Sequence, residues 1–382
     1  MNHLKKGQLM ATTDKKQGGL AGIVASDSTI CLCGAEDESL LYRGYSIEDL
    51  AEHASFEEVA FLLLRGHLPN QIELDSYTHH LHKLTLLSPT LKKLMEEIPP
   101  TYDLMAAIRS QVSLLGHLEP EDLEQDRTHI PDRLIASISS MLLYWYYFHT
   151  AQKRIDVDSG RTIAAHILSL IRQDTPTEEE IRALDVSLIL YAEHEFNAST
   201  FTVRTIGSTL ADIYSAVCGG VGALSGPLHG GANEKAYYLI SKYKTPDEAE
   251  KAILDKLKNK ELIMGFGHRV YTTSDPRSAI IKNWAEKLSK NSKEAYLFPV
   301  AERIEAVMRR EKALFPNLDF YSALVYHYLR IPTHFFTPIF VMSRVSGWCA
   351  HLNEQREHNR IIRPLSNYTG PNHQKWQPIN AR

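Results

Sequence analysis

The sequence predicts an all-α protein of two domains with a small β-hairpin near its N-terminus. Helix-start patterns recur along most of the 382 residues. Segments of strand character are confined to the beginning of the chain. One glycine-rich run interrupts the helical array, and the length is sufficient for two domains of ordinary size.

The elements follow in order. Met1 to Gly18 is polar and lysine-rich. It has neither the apolar stretch of a secretory signal nor the arginine-rich amphipathic character of a transit peptide, and is expected to be a loosely ordered lead-in. Gly22-Ile-Val-Ala25, Thr29-Ile-Cys-Leu32 and Ser39-Leu-Leu-Tyr42 suit a small hairpin. Ser55-Phe-Glu-Glu58 is a capping-box pattern leading into the apolar run Val59 to Leu64. Leu134 to Phe148 is apolar nearly all round but shorter than the ~20 residues of a membrane span, and is interrupted by Ser137, Ser139 and Ser140. It predicts a helix buried in a large core or at a subunit interface. Thr175-Pro-Thr-Glu-Glu-Glu180 and Thr245-Pro-Asp-Glu248 each offer an N-cap threonine, proline at the first helical position and acids in the first turn. Lys256 to Leu262 reads as helix. Gly219 to Gly231, with six glycines in thirteen residues, should break the array as a hinge or ligand-facing turn. A second polar break lies at Arg330-Ile-Pro-Thr333.

Composition narrows the function classes. A net charge of −4 gives no basic field for nucleic acid or anionic lipid, so positive charge must act locally if an anion binds. Cys31-Leu-Cys33 lacks zinc-knuckle spacing and a second pair. With Cys218 and Cys349 it is expected to hold reduced thiols in the cytoplasm. Among eighteen histidines, His79, His80 and His82 do not make a three-ligand face, although His79 and His82 could share one. His351, Glu354 and His358 share a helical face at i, i+3, i+7, a spacing common enough by chance that no bound metal is expected.

Three short segments carry the chemistry: Gly226-Pro-Leu-His-Gly-Gly-Ala-Asn233, Gly265-Phe-Gly-His-Arg-Val-Tyr271 followed by Asp275-Pro-Arg277, and Pro316-Asn-Leu-Asp-Phe-Tyr-Ser322. Each sets one proton-transfer side chain, His229, His268 or Asp319, beside residues that bend the backbone. Two imidazoles and a carboxylate suit proton removal next to a carbonyl and stabilisation of the resulting enolate. His229 precedes a helix expected from Ala232, whose dipole would hold the ring neutral. Asp319, flanked by Leu318 and Phe320, should have its pKa raised by desolvation, although a helix N-cap would look the same. Tyr191 to Thr200 reads as a helix end, with Leu188, Tyr191 and Glu195 on one face. His194 within it is open to two readings, a hydrogen-bonded buried histidine or a ligand-binding one. The lone Gly265-Phe-Gly267 is a weak nucleotide-loop pattern, since no strand precedes it.

The chain resembles the citrate synthases and, among them, the 2-methylcitrate synthases. The resemblance runs from Gly19-Leu-Ala-Gly22 and Tyr42-Arg-Gly-Tyr-Ser-Ile-Glu-Asp-Leu50, through Tyr191-Ala-Glu-His-Glu-Phe-Asn-Ala-Ser-Thr200 and the three segments above. It closes with Ser343-Arg344, Gly347-Trp348 and Ile361-Ile-Arg-Pro-Leu-Ser-Asn-Tyr-Thr-Gly-Pro371. It implies a large helical domain of residues 1–223 and 329–382, a small helical domain of 224–328, and a homodimer with shared active sites. Its implied substrates are oxaloacetate and an acyl-coenzyme A, with no metal or redox cofactor and neither nucleic acid nor membrane as partner. His229, His268 and Asp319 would be catalytic, Asp319 as the base. His194, Arg277, Arg344 and Arg363 would bind oxaloacetate, since arginine supplies the planar, permanently charged fork that carboxylates need. Leu262, Ile263, Met264, Gly265, Phe266 and Gly267 would line coenzyme A, with Lys312 on a phosphate. Tyr191 and Leu318, where citrate synthases tend to have histidine and valine, resemble the methylcitrate enzymes and point to propionyl-CoA, with acetyl-CoA also accepted. A citrate synthase using acetyl-CoA is the alternative. A non-catalytic sensor on the same fold would most simply have lost the base or a histidine, and this chain keeps all three.

Overall fold

The structure, a computed structural model, describes Leu20 and residues 22–34, 39–101, 103–122 and 127–382. The lead-in expected over Met1 to Gly18, together with Gly19 and Ala21, lies outside the described residues.

Three short antiparallel strands open the chain: β1 (Cys31–Cys33), β2 (Leu40–Tyr42) and β3 (Tyr45–Ser46), in that spatial order. Cys31 pairs with Tyr42 and Leu41 with Ser46. The sheet is shorter than the expected hairpin at its start. Gly22 to Ala25 is not part of it, and Ile23 and Val24 are exposed. Their β-branched side chains favour a strand only where a face exists to pack on.

Sixteen α-helices follow among the described residues. Ser46 caps α1 (Ile47–His53). Ser55 and Glu58 form the capping box of α2 (Phe56–Arg65) in both directions, at 3.3 and 2.7 Å. Then come α3 (Gln71–Leu84), α4 (Pro89–Glu96), α5 (Leu104–Leu118) and α6 (His129–Ala151). As its apolar circumference requires, α6 is buried from Ile130 to Trp145. After α7 (Ile163–Arg172), helix α8 (Glu178–Tyr191) is capped by Thr177, not Thr175. Two start signals overlap here. The Thr177–Glu180 box satisfies two amides, at 3.3 and 2.8 Å, and so prevails over Thr175-Pro176. Next are α9 (Ala198–Gly207) and α10 (Ile213–Leu224). Glycine does not break the array at Gly219, since α10 continues to Leu224. A Cβ on Gly220 would lie 2.8 Å from Val203 and 3.1 Å from Trp348, so glycine lets neighbouring side chains approach the helix closely.

The remaining helices are α11 (Ala232–Ile240), α12 (Pro246–Lys258), α13 (Pro276–Ser289), α14 (Leu297–Lys312), α15 (Leu318–Tyr328) and α16 (Phe336–Glu357). Thr245 caps α12 as its sequence predicts. That helix ends at Lys258, short of Leu262, where Lys260 takes a left-handed conformation. Helix α16 is buried from Phe336 to Leu352 and packs against α2, α5, α6, α8, α9 and α10. Helices α11 to α15 pack on one another. They meet the rest through α13 on α1 and α8, α15 on α8, and α11 on α16. Among the described residues no helix is long and apolar enough to cross a membrane.

Thr177→Ala should lower stability by about 1 kcal/mol, whereas Thr175→Ala should stay within about 0.5 kcal/mol of the parent. Urea midpoints at one fixed protein concentration check the difference.

Candidate active site

The second and third chemistry-bearing segments are joined by backbone pairing. Gly267 N donates to Phe315 O at 2.8 Å and Asn317 N to Gly265 O at 3.0 Å, across an antiparallel bridge between Phe266 and Pro316. Asn317 also donates from its side chain to Gly267 O at 3.1 Å. Gly265 has φ +89°, and a Cβ there would lie 2.9 Å from the Phe320 ring, so both conformation and space call for glycine. The bridge holds the turn that carries His268 against the start of α15, which carries Asp319.

Asp319 occupies the first turn of α15, whose N-cap is Asn317 rather than Asp319 itself. The Asn317 side chain accepts from Asp319 N at 3.1 Å, which frees the aspartate carboxylate for other contacts. Tyr191 donates to that carboxylate at 2.6 Å and stands 2.7 Å from Ser322 Oγ. Burial raises the Asp319 pKa, and the Tyr191 hydrogen bond and the Arg277 charge oppose this without cancelling it. The carboxylate is therefore a stronger base than an ordinary surface aspartate.

Both expected catalytic histidines are neutral rings with a fixed tautomer. His268 Nδ1 accepts from Val270 N at 3.1 Å and from Tyr271 N at 3.3 Å, which leaves the hydrogen on Nε2. His229 Nε2 accepts from Ser199 N at 3.3 Å and lies 2.8 Å from that serine's hydroxyl, which leaves the hydrogen on Nδ1. Each ring has its pKa pushed down to about 4. Burial is the main cause in both, followed by Arg344 for His229 and Arg277 for His268. Helix α11 begins just after His229, as its sequence predicts, and burial with the Arg344 charge lowers the ring's pKa.

The rest of the predicted set falls into place unevenly. His194 is buried and lies edge-on to His268 at a ring separation of 4.9 Å, with Tyr271 OH 3.2 Å and Cys33 Sγ 3.5 Å from its Nε2. Its helix ends at Tyr191 and Glu195 has a left-handed φ, so Leu188, Tyr191 and Glu195 do not share a helical face. Arg344 is buried, donates from Nε to Tyr191 O at 2.7 Å and lies 4.7 Å from the centre of the Phe340 ring. Phe340 packs on Tyr191 at 4.5 Å and faces His229 at 6.2 Å, which links the third segment to the first. Arg277 is buried and paired with Asp275. Leu318, immediately before Asp319, is buried.

Arg363 stands apart. It is exposed on the extended segment after α16, without a hydrogen-bond or ion-pair partner among the described residues. Leu262 is exposed, Ile263 and Gly265 are buried, and Met264, Phe266 and Gly267 are half-buried. Leu262, Ile263 and Met264 line a cavity of about 260 Å³ together with Lys235, Lys242 and Lys256. Lys312, exposed at the end of α14, does not line it. Of the residues weighed as metal ligands, His351 pairs with Glu193 and Glu354 with Arg204. Among the described residues no group of three or more His, Cys, Asp or Glu side chains is placed to hold an ion.

Sequence reasoning passed over Asp275, Tyr271, Ser199, Phe340 and Cys33. Asp275-Pro276 does carry a legible signal, an N-cap followed by proline at the first helical position, and α13 begins there. Tyr271 and Ser199 lie within segments already singled out, whereas Phe340 and Cys33 are ordinary residues brought to the site from elsewhere in the chain.

The arrangement offers a carboxylate base with two neutral imidazole donors and buried arginines close by. A family model described as "Citrate synthase, C-terminal domain" matches residues 19–365. The 2-methylcitrate synthase of Shewanella oneidensis is 47% identical, over 95% of this chain and 97% of its own length. Citrate synthase 2 of Bacillus subtilis is 40% identical, over 95% and 98%. Among solved structures, citrate synthase from Thermotoga maritima superposes with a TM-score of 0.85 at 32% identity, covering 96% of this chain and 99% of that one. The ternary complex of the Thermoplasma acidophilum enzyme with carboxymethyl coenzyme A and oxaloacetate gives 0.87 at 32% identity, covering 97% and 100%.

His229 and His268 should remain neutral until the pH approaches about 4. Their folded pKa values lie below the unfolded value near 6.5, so the unfolded chain takes up protons first. Stability from these groups is complete above about pH 6.5 and is lost as pH falls toward 4. Imidazole nitrogen shifts, assigned with His229→Gln and His268→Gln, check this. A midpoint near 6.5 for either ring would contradict it.

Proposed function

The chain belongs to the citrate synthase family, whose named members are acyltransferases, and within that family we propose that it is a 2-methylcitrate synthase. It condenses propionyl-CoA with oxaloacetate, hydrolyses the resulting thioester, and also accepts acetyl-CoA. The observation that carries this reading is the contact of Tyr191 with Asp319 at 2.6 Å. The base must reach the acyl α-carbon, so whatever stands beside its carboxylate meets the rest of the acyl chain. Tyr191, backed by Phe340, is that neighbour, and Leu318 immediately precedes the base. The Shewanella relative, named 2-methylcitrate synthase, supports the same choice.

In the proposed reaction Asp319 accepts a proton from the α-carbon. The His229 Nδ1 hydrogen supports the thioester oxygen as it gains charge, a donor role that a neutral ring can fill. The enolate carbon attacks the keto carbon of oxaloacetate, and His268 gives its Nε2 proton to the new alkoxide. Water then cleaves the thioester, releasing 2-methylcitrate and coenzyme A. His194, Arg277 and Arg344 hold oxaloacetate, the arginines at its carboxylates. Coenzyme A follows Leu262 to Gly267, and Lys235, Lys242 and Lys256, which line the cavity beside Leu262 to Met264, supply positive charge for its phosphates together with Lys312. Residues 224–328 act as a small domain that closes over substrate on the large one, excluding water before condensation.

Steady-state kinetics with both thioesters at saturating oxaloacetate test the substrate. A higher kcat/KM for propionyl-CoA is expected, since an additional buried methylene contributes ~0.8 kcal/mol. Tyr191→His/Leu318→Val should move the ratio toward acetyl-CoA. A wild-type preference for acetyl-CoA would leave the citrate synthase reading in its place. Asp319→Asn should keep the fold and oxaloacetate binding while condensation falls at least about 100-fold, as expected on losing a general base.

Arg363, exposed here, is proposed to complete the oxaloacetate site of a second copy in a homodimer. Arg363→Ala should weaken oxaloacetate binding. Mixing Arg363→Ala with His229→Ala under subunit exchange should restore part of the activity. No rescue after verified exchange would refute a shared site.

A further inference from the structure

Asp275 is a buried carboxylate to which the mechanism above gives no role. Four contacts to its carboxylate among the described residues are divided between the two halves of the site. Oδ1 accepts from Arg277 N at 3.1 Å and Arg277 Nε at 2.9 Å. Oδ2 accepts from Arg277 Nη2 at 2.8 Å and from Leu318 N at 3.1 Å. Four donors saturate a carboxylate.

The two side-chain contacts to Arg277 form a bidentate pair, which fixes the guanidinium plane and with it the direction of the remaining nitrogen. The fourth contact reaches another helix. Leu318 N is the first amide of α15, one of the helix-start amides that no intrahelical carbonyl can satisfy. Its partner is a side chain 43 residues away in sequence. Asn317 takes the next amide, that of Asp319. Together Asp275 and Asn317 fix the turn from which the Asp319 side chain departs. Burial alone would raise the Asp275 pKa, but the charge and hydrogen bonds of Arg277 hold it below the ordinary value. The residue therefore stays a full acceptor to both helices.

We propose that Asp275 is a positioning residue that ties the oxaloacetate arginine, Arg277, to the first turn of the general-base helix, so that one carboxylate sets the geometry of both substrate sites. The inference rests on the roles of Arg277 and Asp319 given under the proposed function. A dicarboxylate that draws on Arg277 acts through Asp275 on the amide one residue before the base. A structural N-cap for α13 would need only the Arg277 amide, whereas the Leu318 contact serves the base.

Two measurements separate these effects. Exchange of the propionyl-CoA α-protons with deuterated water, in the presence of a 2-hydroxy dicarboxylate that cannot condense, reads proton removal by Asp319 apart from condensation. Calorimetric binding of the same dicarboxylate reads Arg277. Asp275→Asn should weaken dicarboxylate binding at least about tenfold. It should also slow exchange at saturating dicarboxylate at least about tenfold, within the penalty of roughly 100-fold that a 1 Å misplacement carries. Arg277→Lys keeps a cation beside Asp275. It should weaken binding and lose less exchange at saturation than Asp275→Asn does, since the Leu318 contact survives. If Asp275→Asn does not fold by near-ultraviolet circular dichroism, Asp275→Ser, which retains an N-cap, is read by the same two assays with the same expectation. Wild-type exchange at saturation in a folded Asp275 variant would overturn the inference. Equal loss of exchange in Arg277→Lys would show that Asp275 acts only through the arginine, which also overturns it. A wild type that neither condenses nor exchanges would instead overturn the proposed function, and these outcomes are distinguishable.

Discussion

Burial of α16 along most of its length governs how the other elements can be arranged. A helix enclosed from Phe336 to Leu352 needs partners for its polar side chains, and several of these lie on the end of α8, the turn after it and α9. Arg344 reaches Tyr191 O, Trp348 reaches Ser199 Oγ, and His351 bonds Glu193 at 2.9 Å. Arg204 then joins His351 to Glu354. These contacts fix Tyr191 and Ser199, and through them the partners of Asp319 and His229. The core helix and the candidate site are therefore held by one set of hydrogen bonds.

Electrostatics in the site follow from the same enclosure. Several cations and titratable rings share a poorly solvated space, where charge is costly unless paired. Arg277 has Asp275, but His194, His229 and His268 have no carboxylate within bonding distance among the described residues. Burial, with the nearby arginines, settles them as neutral donors. The same burial raises Asp319, and Tyr191 limits the rise. A base made stronger and donors kept uncharged are two consequences of one environment.

The pairing of residues 265–267 with 315–317 does for the two loops what α16 does for the core. Backbone hydrogen bonds between the segments, with glycine at the crowded position, bring together parts of the chain far separated in sequence. Regular secondary structure contributes little to this join. A single isolated bridge and one asparagine suffice because the flanking helices α13 and α15 are already packed on each other.

The sequence by itself determined whatever depends on near neighbours in the chain. It determined the helical class, the Ser55 and Thr245 caps, the enclosure of α6, and the presence of His229, His268 and Asp319 in bent segments. These are effects of periodicity, capping and backbone freedom, all of which act within a turn or two. Where two local signals competed, as at Thr175 and Thr177, or where propensity lacked a surface, as at Ile23 and Val24, the sequence was ambiguous. Only the tertiary structure decided that Tyr191 meets Asp319 and that burial beside Arg344 lowers the His229 pKa. It alone showed Asp275 spanning α13 and α15, and left Arg363 outside the site of its own chain. Each of these depends on which distant segments become neighbours and how much water remains between them, and neither is written in local sequence spacing.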